Sequence, residues 1–160
     1  MLDKFNVSVS CAGTWKSRIC RETHHCATIP FHPPSSVLPM LTPAVLSLDA
    51  PVAPDDYFLP ADKLVAGNPR QTVWMHYTDP TRQFMVGIWR SEPGKWRISY
   101  TEEEYCHMLE GRSVIADQDG RRIEVAAGDS FVIPRGFVGT WEVLETTTKR
   151  FVIYEKAGAA

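Results

Sequence analysis

The sequence has no long apolar run and no excess of charge of one sign. No stretch approaches the length of about 20 apolar residues that a membrane-spanning helix needs. Its 17 Lys and Arg residues and 19 Asp and Glu residues leave a net charge of −2, so no face is forced to be strongly basic. We therefore expect neither a membrane partner nor a nucleic-acid partner.

Cysteine is scarce in the part of the chain that we predict to fold. Three of the four cysteines fall within the first 26 residues, and only Cys106 follows them. A single cysteine cannot form an internal disulfide, so the domain does not depend on one, and a reducing compartment, the cytoplasm, is expected. The first 18 residues also lack the continuous apolar segment of a secretory signal.

The first 39 residues fit no periodic template of helix or strand. The spacing C-x8-C-x3-H-H-C, from Cys11 to Cys26, matches no standard zinc site, so we predict a disordered tail. Two alternatives stay open for this segment. Translation from Met40 is one, and an organelle transit peptide, which Asp3 and Glu22 disfavour, is the other.

Proline is distributed unevenly along the chain. Eight of the twelve prolines lie between Pro30 and Pro60. Proline removes a backbone donor and fixes φ, so this region cannot be a regular helix or a central strand. We predict a disordered or extended arm over residues 1–54 and one folded domain over residues 55–157.

The rest of the sequence reads as short strands separated by turn residues, and a convincing helical stripe is lacking after Met40. Nine strands are predicted, over residues 72–77, 82–91, 95–100, 103–111, 112–117, 121–126, 129–134, 139–145 and 148–155. Glycine-containing turns such as "QDG" (118–120) and "PRG" (134–136) connect them. Evenly spaced short strands of this kind predict an all-β sandwich or barrel.

Two stretches resemble the two sequence motifs of the cupin family. Glu104 and Gly111 occupy the Glu and final Gly positions of the first motif, G-x5-H-x-H-x3-E-x6-G. Gly128, Pro134 and Gly136 match the second motif, G-x5-P-x-G-x2-H-x3-N. The resemblance implies a double-stranded β-helix, the jelly-roll barrel of RmlC-like proteins.

This sequence departs from the cupin pattern at the metal-binding positions. Ile98, Tyr100 and Gly139 stand at the three histidine positions, so only Glu104 remains of the four usual ligands. One carboxylate does not make a transition-metal site. We therefore predict no tightly bound metal and no other cofactor.

Further stretches are similar to one branch of small single-domain cupins. They are "WRSEPGKW" (89–96), "EYCHMLEG" (104–111) and "WEVLE" (141–145). This resemblance implies a relation to ureidoglycine aminohydrolase and to an ethanolamine-utilisation cupin. The aminohydrolase uses a manganese ion whose ligands this chain mostly lacks, so its activity is not carried over.

Strand alternation predicts which side chains face the barrel interior. The inward set combines two candidate catalytic residues, Glu104 and Tyr100, with five candidate ligand-binding residues: Trp96, Ile98, Cys106, Met108 and Trp141. A mostly apolar lining with a few polar groups is typical of a small-molecule pocket. The alternative, favoured by the bulk of the aromatic side chains, is a barrel filled by its own core.

Three functions follow from this set. The first is a cupin of unassigned activity that binds a small polar metabolite without a metal. The second is an aminohydrolase- or isomerase-type enzyme that uses Glu104 as general acid or base with Tyr100 as its hydrogen-bonding partner. The third is a non-catalytic assembly module, and in each case we expect a homodimer.

Overall fold

A computed structural model describes residues 44–156, and its strands belong to one compact unit that begins at Ser47. The described residues form nine strands: β1 (Asp55–Tyr57), β2 (Leu64–Ala66), β3 (Gln71–Thr78), β4 (Phe84–Ser91), β5 (Gly94–Ser99), β6 (Glu103–Asp117), β7 (Arg122–Ala126), β8 (Ser130–Ile133) and β9 (Val138–Tyr154). All pairings between them are antiparallel. They form one curled sheet, which confirms the all-β jelly-roll prediction.

The order of strands in the sheet is β1-β3-β4-β9-β5-β2, with β6 joined to β9 and carrying β7 and β8. Strand β9 pairs with β5 through its first half and with β4 through its second half. Strand β6 runs beside β9 along nearly its whole length. The two long strands therefore form the centre of the barrel wall.

The predicted breaks within β6 and β9 are wrong. We expected strands to end at residues 111 and 145, but each long strand continues through a bend where its register shifts. Gly111 lies at this bulge with φ of +76°. A Cβ at that position would lie 2.2 Å from the Thr146 carbonyl oxygen, so glycine lets the chains approach closely without ending the strand.

Two edge strands were missed by the sequence analysis. Strands β1 and β2 have three residues each, too short for a visible alternation of apolar residues. Pro54 and Pro60 flank β1, which pairs with β3 at the sheet edge, where proline is tolerated. Strand β1 begins at Asp55, the first residue of the predicted domain, and residues 44–54 contain a turn and no strand.

The predicted arm lies mostly outside the described residues. This applies to residues 1–43, with the candidate tail residues Cys11, Cys20, His24, His25 and Cys26, and to residue 157. No helix within residues 44–156 is long and apolar enough to cross a membrane.

Three tryptophans fill one end of the barrel interior. Trp89 contacts Trp96 and Trp141 edge to face, with ring centroids 6.1 and 5.6 Å apart. All three are at most 5% exposed. Such aromatic pairs add to the stability gained from burial alone, and they form one wall of the site described next.

Candidate functional site

A buried network of polar side chains lies inside the barrel. Glu104 and Cys106 come from β6, and Lys149 comes from β9. The Lys149 Nζ atom donates to Glu104 Oε1 at 2.9 Å and to Cys106 Sγ at 3.3 Å. Tyr100 donates its hydroxyl hydrogen to Glu104 Oε2 at 2.8 Å. Both carboxylate oxygens of Glu104 therefore have a donor.

Tyr100 is held in place by the backbone that follows β5. Its N–H donates to the Phe137 carbonyl at 2.9 Å, and its carbonyl accepts from the Gly136 N–H at 2.8 Å. These two bonds tie the end of β5 to the turn before β9. The phenol is consequently fixed against Glu104, in the pairing that the sequence analysis expected.

The ammonium of Lys149 is fully buried, with a side chain 1% exposed. It lies over the ring of Trp141 at 4.5 Å and over that of Trp89 at 5.3 Å, within the range of cation–π attraction. Burial alone would lower the pKa of Lys149, but its hydrogen bonds to the Cys106 sulfur and the Glu104 carboxylate, with the negative charge of Glu104, outweigh burial, and the pKa is raised. Lys149 is therefore a permanent cation at neutral pH.

The thiol and the two phenols near Lys149 stay neutral. Burial raises the pKa of the Cys106 thiol to about 12, so the thiol is protonated at neutral pH and is not an activated nucleophile. Burial, followed by the nearby Glu104 carboxylate, raises the pKa of Tyr100 well above 10. Burial also raises the pKa of Tyr57 to about 12.

A cavity of about 40 Å³ lies beside this network. Four of the predicted site residues line it: Trp96, Ile98, Tyr100 and Trp141. The other three, Glu104, Cys106 and Met108, are fully buried behind this lining. The cavity reaches solvent at a rim that includes Lys63 and Arg97.

Two buried polar residues of the cavity wall, Gln71 and Lys149, were not predicted from the sequence. A signal for Lys149 was present, because it has the same strand parity as Phe151 and Ile153, which are buried. A lysine in an apolar row is ordinarily taken as an edge residue. Gln71 begins β3 and carried no comparable signal.

Comparison with known proteins agrees with this architecture. Residues 78–151 match the family of the EutQ-like cupin domain. No curated protein matches the chain.

Three solved structures illustrate the likeness. A protein of unknown function of the DUF861 family from Pseudomonas syringae pv. tomato has a TM-score of 0.60 and 19% identity, over 68% of this chain and 46% of that one. A predicted oxalate decarboxylase from Thermotoga maritima has a TM-score of 0.54 and 15% identity, over 71% of this chain and 100% of that one. A second Thermotoga maritima protein, of the DUF861 family, has 31% identity and a TM-score of 0.39, over 40% of this chain and 73% of that one.

These likenesses concern the fold, and the chain spans less than half of the Pseudomonas protein. The curled sheet and the domain match together make this chain a small cupin. More narrowly, its residues 78–151 are similar to the EutQ-like form of the cupin domain. The predicted relation to ureidoglycine aminohydrolase stays a prediction.

The residues present do not fit the transition metal that many cupins hold. Ile98, Tyr100 and Gly139 replace the histidines of the family motifs, and a Cβ at position 139 would lie 2.0 Å from the Ala116 carbonyl oxygen. Within residues 44–156 no group of three or more His, Cys, Asp or Glu side chains is placed to hold a metal ion. The carboxylate of Glu104 binds an ammonium instead.

Proposed function

We propose that this chain is a cupin that binds a small polar metabolite in its barrel without a tightly bound metal. The observation that carries the proposal is the Lys149 ammonium, which Glu104 holds at 2.9 Å beside a cavity open to solvent. The ammonium is the end of this ion pair that lines the cavity, and because little water screens it there, it attracts a polar or negatively charged ligand group. We also keep the cytoplasmic location as a prediction.

The size of the cavity limits what enters it. A volume of about 40 Å³ holds roughly two or three water-sized groups. A metabolite therefore places one small polar group inside, and the remainder lies at the rim near Leu59, Lys63 and Arg97. This division between a buried head group and an exposed remainder is part of the proposal.

A thermal-shift screen of small polar metabolites tests the binding proposal. A ligand that binds the folded state alone raises the melting temperature in proportion to the logarithm of its concentration. Arg97→Met alters the rim, so it should weaken the ligand that the screen finds, whereas Arg121→Met, at the exposed turn before β7, should not. A screen without any stabiliser would contradict the proposal and support a barrel filled by its own side chains.

The second candidate function is an aminohydrolase- or isomerase-type enzyme with Glu104 as general acid or base. The observation in its favour is the 2.8 Å bond from the Tyr100 hydroxyl to Glu104, because Tyr100 also lines the cavity and a proton can pass through its hydroxyl. Turnover of a stabilising metabolite should then disappear in both Glu104→Gln and Tyr100→Phe. Unchanged turnover in Tyr100→Phe, which removes only the hydroxyl, would contradict this role.

The third candidate is an assembly module, and the homodimer remains a prediction. Val132, Tyr105 and Val152 are cross-strand neighbours on β8, β6 and β9, and Val132 is 60% exposed. A second copy that covers this apolar row would remove it from water. Sedimentation should show that Val132→Glu dissociates the dimer and that Ile123→Glu, on β7, does not.

Gel filtration of the full chain against the chain from Met40 tests whether residues 1–39 contribute to assembly. A monomer in every case would contradict the assembly-module proposal.

A further inference from the structure

The cavity wall contains hydrogen-bond donors that lack an acceptor within residues 44–156. Gln71 is 1% exposed, and its Oε1 accepts from the Trp89 indole N–H at 3.0 Å. Because an indole nitrogen only donates, this bond fixes the amide with its oxygen toward Trp89. In the described part of the chain, the Gln71 Nε2 group is left buried without a partner.

A second unpartnered donor lies on the same wall. Trp141 is 2% exposed, and its Nε1 atom has no hydrogen-bond partner among the residues that the structure describes. Buried N–H groups without acceptors are rare in folded proteins, because leaving one unpaired costs free energy. Two of them around one cavity, from β3 and β9, indicate that an acceptor belongs there.

The third donor is the Lys149 ammonium. Of its three hydrogens, two are directed to Glu104 and Cys106. Lys149 also lines the cavity, so one hydrogen remains for a group inside it.

The charges of the wall have one sign. Three cationic side chains line the cavity, Lys63, Arg97 and Lys149, whereas none of its lining residues in the described chain is Asp or Glu. Glu104, which balances Lys149, stands behind the lining. A group with acceptor atoms and negative charge therefore matches both the donors and the charges.

Resting on the binding proposal above, we infer that the ligand group recognised by Gln71, Trp141 and Lys149 is a small carboxylate. A carboxylate is planar and offers two oxygens that only accept, which suits a narrow cavity walled by indole rings. A neutral amide of the same size presents donor hydrogens to a wall of donors and lacks the charge. Lys149 thus presents the positive end of its ion pair with Glu104 to the bound carboxylate.

Solution NMR of the full chain tests this inference with defined probes. Titration with sodium formate, acetate and glycolate, at constant ionic strength set by NaCl, should shift the Trp141 indole N–H and the Gln71 side-chain amide resonances and saturate. Formamide and acetamide are the matched neutral probes and should shift neither resonance at equal concentration. Saturable shifts with the amides, or none with any carboxylate, would overturn the inference.

Variants locate the binding groups. Loss of a hydrogen bond to a charged group should weaken carboxylate affinity by about tenfold or more in Gln71→Leu and in Trp141→Phe. Gln118→Leu at an exposed turn and Trp74→Phe on β3 change the same residue types away from the cavity and should bind normally. Unchanged affinity in Gln71→Leu would contradict the inference. The comparison of carboxylate and amide probes needs no variant, so it tests the inference even when Trp141→Phe does not fold.

The same titration separates this inference from the binding proposal. If an uncharged metabolite shifts the Trp141 and Gln71 resonances in a saturable way and no carboxylate does, the binding proposal is supported and the carboxylate inference is contradicted. If no compound shifts those resonances, both fall.

Discussion

Lys149 and Glu104 form a buried ion pair in which each charge compensates the other. Both side chains are at most 1% exposed, and their charged atoms are 2.9 Å apart. Removing one partner leaves a buried charge without compensation, which costs far more than the pair itself contributes. Because the pKa of Lys149 is raised in the folded state, its protonation stabilises the fold fully at pH values below the ordinary lysine pKa of 10.5. This contribution is lost as the pH rises through the higher folded-state pKa.

We expect Lys149→Met to lower the free energy of unfolding by about 3–5 kcal/mol. In Lys149→Met/Glu104→Gln the charge of both partners is gone, so the double variant should be more stable than the single one. Urea denaturation at pH 7 measures both differences.

The matched control is the Lys95–Glu142 pair, which has a similar distance of 2.8 Å but side chains that are 29% and 30% exposed. Lys95→Met should cost about 1 kcal/mol or less. Equal losses in Lys95→Met and Lys149→Met would show that burial does not set the strength of the inner pair.

Asp79 organises the turn between β3 and β4. Its carboxylate accepts from the backbone N–H groups of Thr81, Gln83 and Phe84 at 3.1, 2.8 and 2.8 Å. The hydrogen bond from the Thr81 hydroxyl and the backbone bonds lower its pKa to about 2. A lowered folded-state pKa stabilises the fold above the ordinary value of 3.8, and this contribution is lost as the pH falls through about 2.

Asp79→Asn should therefore lower the melting temperature at pH 7, and its deficit relative to the natural chain should shrink as the pH falls from 3.8 toward 2. Thermal unfolding at a series of pH values measures the difference. Asp119→Asn, at the exposed turn before β7, is the control and should show little deficit at any of them. A deficit for Asp79→Asn that does not change with pH would contradict the assignment.

At the scale of strands, the bend of β6 depends on a single glycine. Gly111 and Gly120 have similar φ values, +76° and +82°. An added Cβ would meet the Thr146 carbonyl oxygen at 2.2 Å in the first case and nothing within 4 Å in the second. The two positions therefore separate the cost of backbone conformation from the cost of steric overlap.

Gly120→Ala should cost about 1–2 kcal/mol, because only the positive φ is penalised. Gly111→Ala should cost about 1–3 kcal/mol more, since β6 and β9 must also move apart. Equilibrium unfolding in urea compares the two variants. Equal costs would show that the bend has room for a methyl group.

The sequence predicts which side chains alternate between the interior and the surface along each strand. It does not predict that β6 and β9 each continue unbroken through a bend. Cys106 and Met108 are buried on β6 while Tyr105 is 44% exposed, as a period of two requires. Gly111 looked like a turn because turns and bulges need the same positive φ. Lys149 was overlooked because a lysine is buried only when a partner elsewhere in the fold receives it, and pairing across 45 residues is not visible in a local pattern.

At the scale of the whole molecule, the internal cation predicts how the protein behaves toward chelators. The chain prepared without added metal should contain well under one equivalent of manganese, iron, nickel or zinc, and EDTA should leave its melting temperature unchanged. Elemental analysis and thermal unfolding measure the two quantities. A metal in stoichiometric amount whose removal lowers the melting temperature would contradict the role given to Lys149.

The barrel wall is unequally anchored around the cavity. Strand β9 pairs with β4, β5 and β6, whereas within the described residues β1 pairs with β3 alone and β2 with β5 alone. The segment between β1 and β2 carries Leu59 and Lys63, which line the cavity. Its backbone can detach by breaking the pairing of these two short strands and the hydrogen bonds from Arg97 to the Lys63 and Asp62 carbonyls, while the centre stays intact. Its amide hydrogens should therefore exchange with solvent long before those of β9. A molecule larger than the opening of the cavity can therefore enter when this segment unfolds locally, without unfolding of the whole domain.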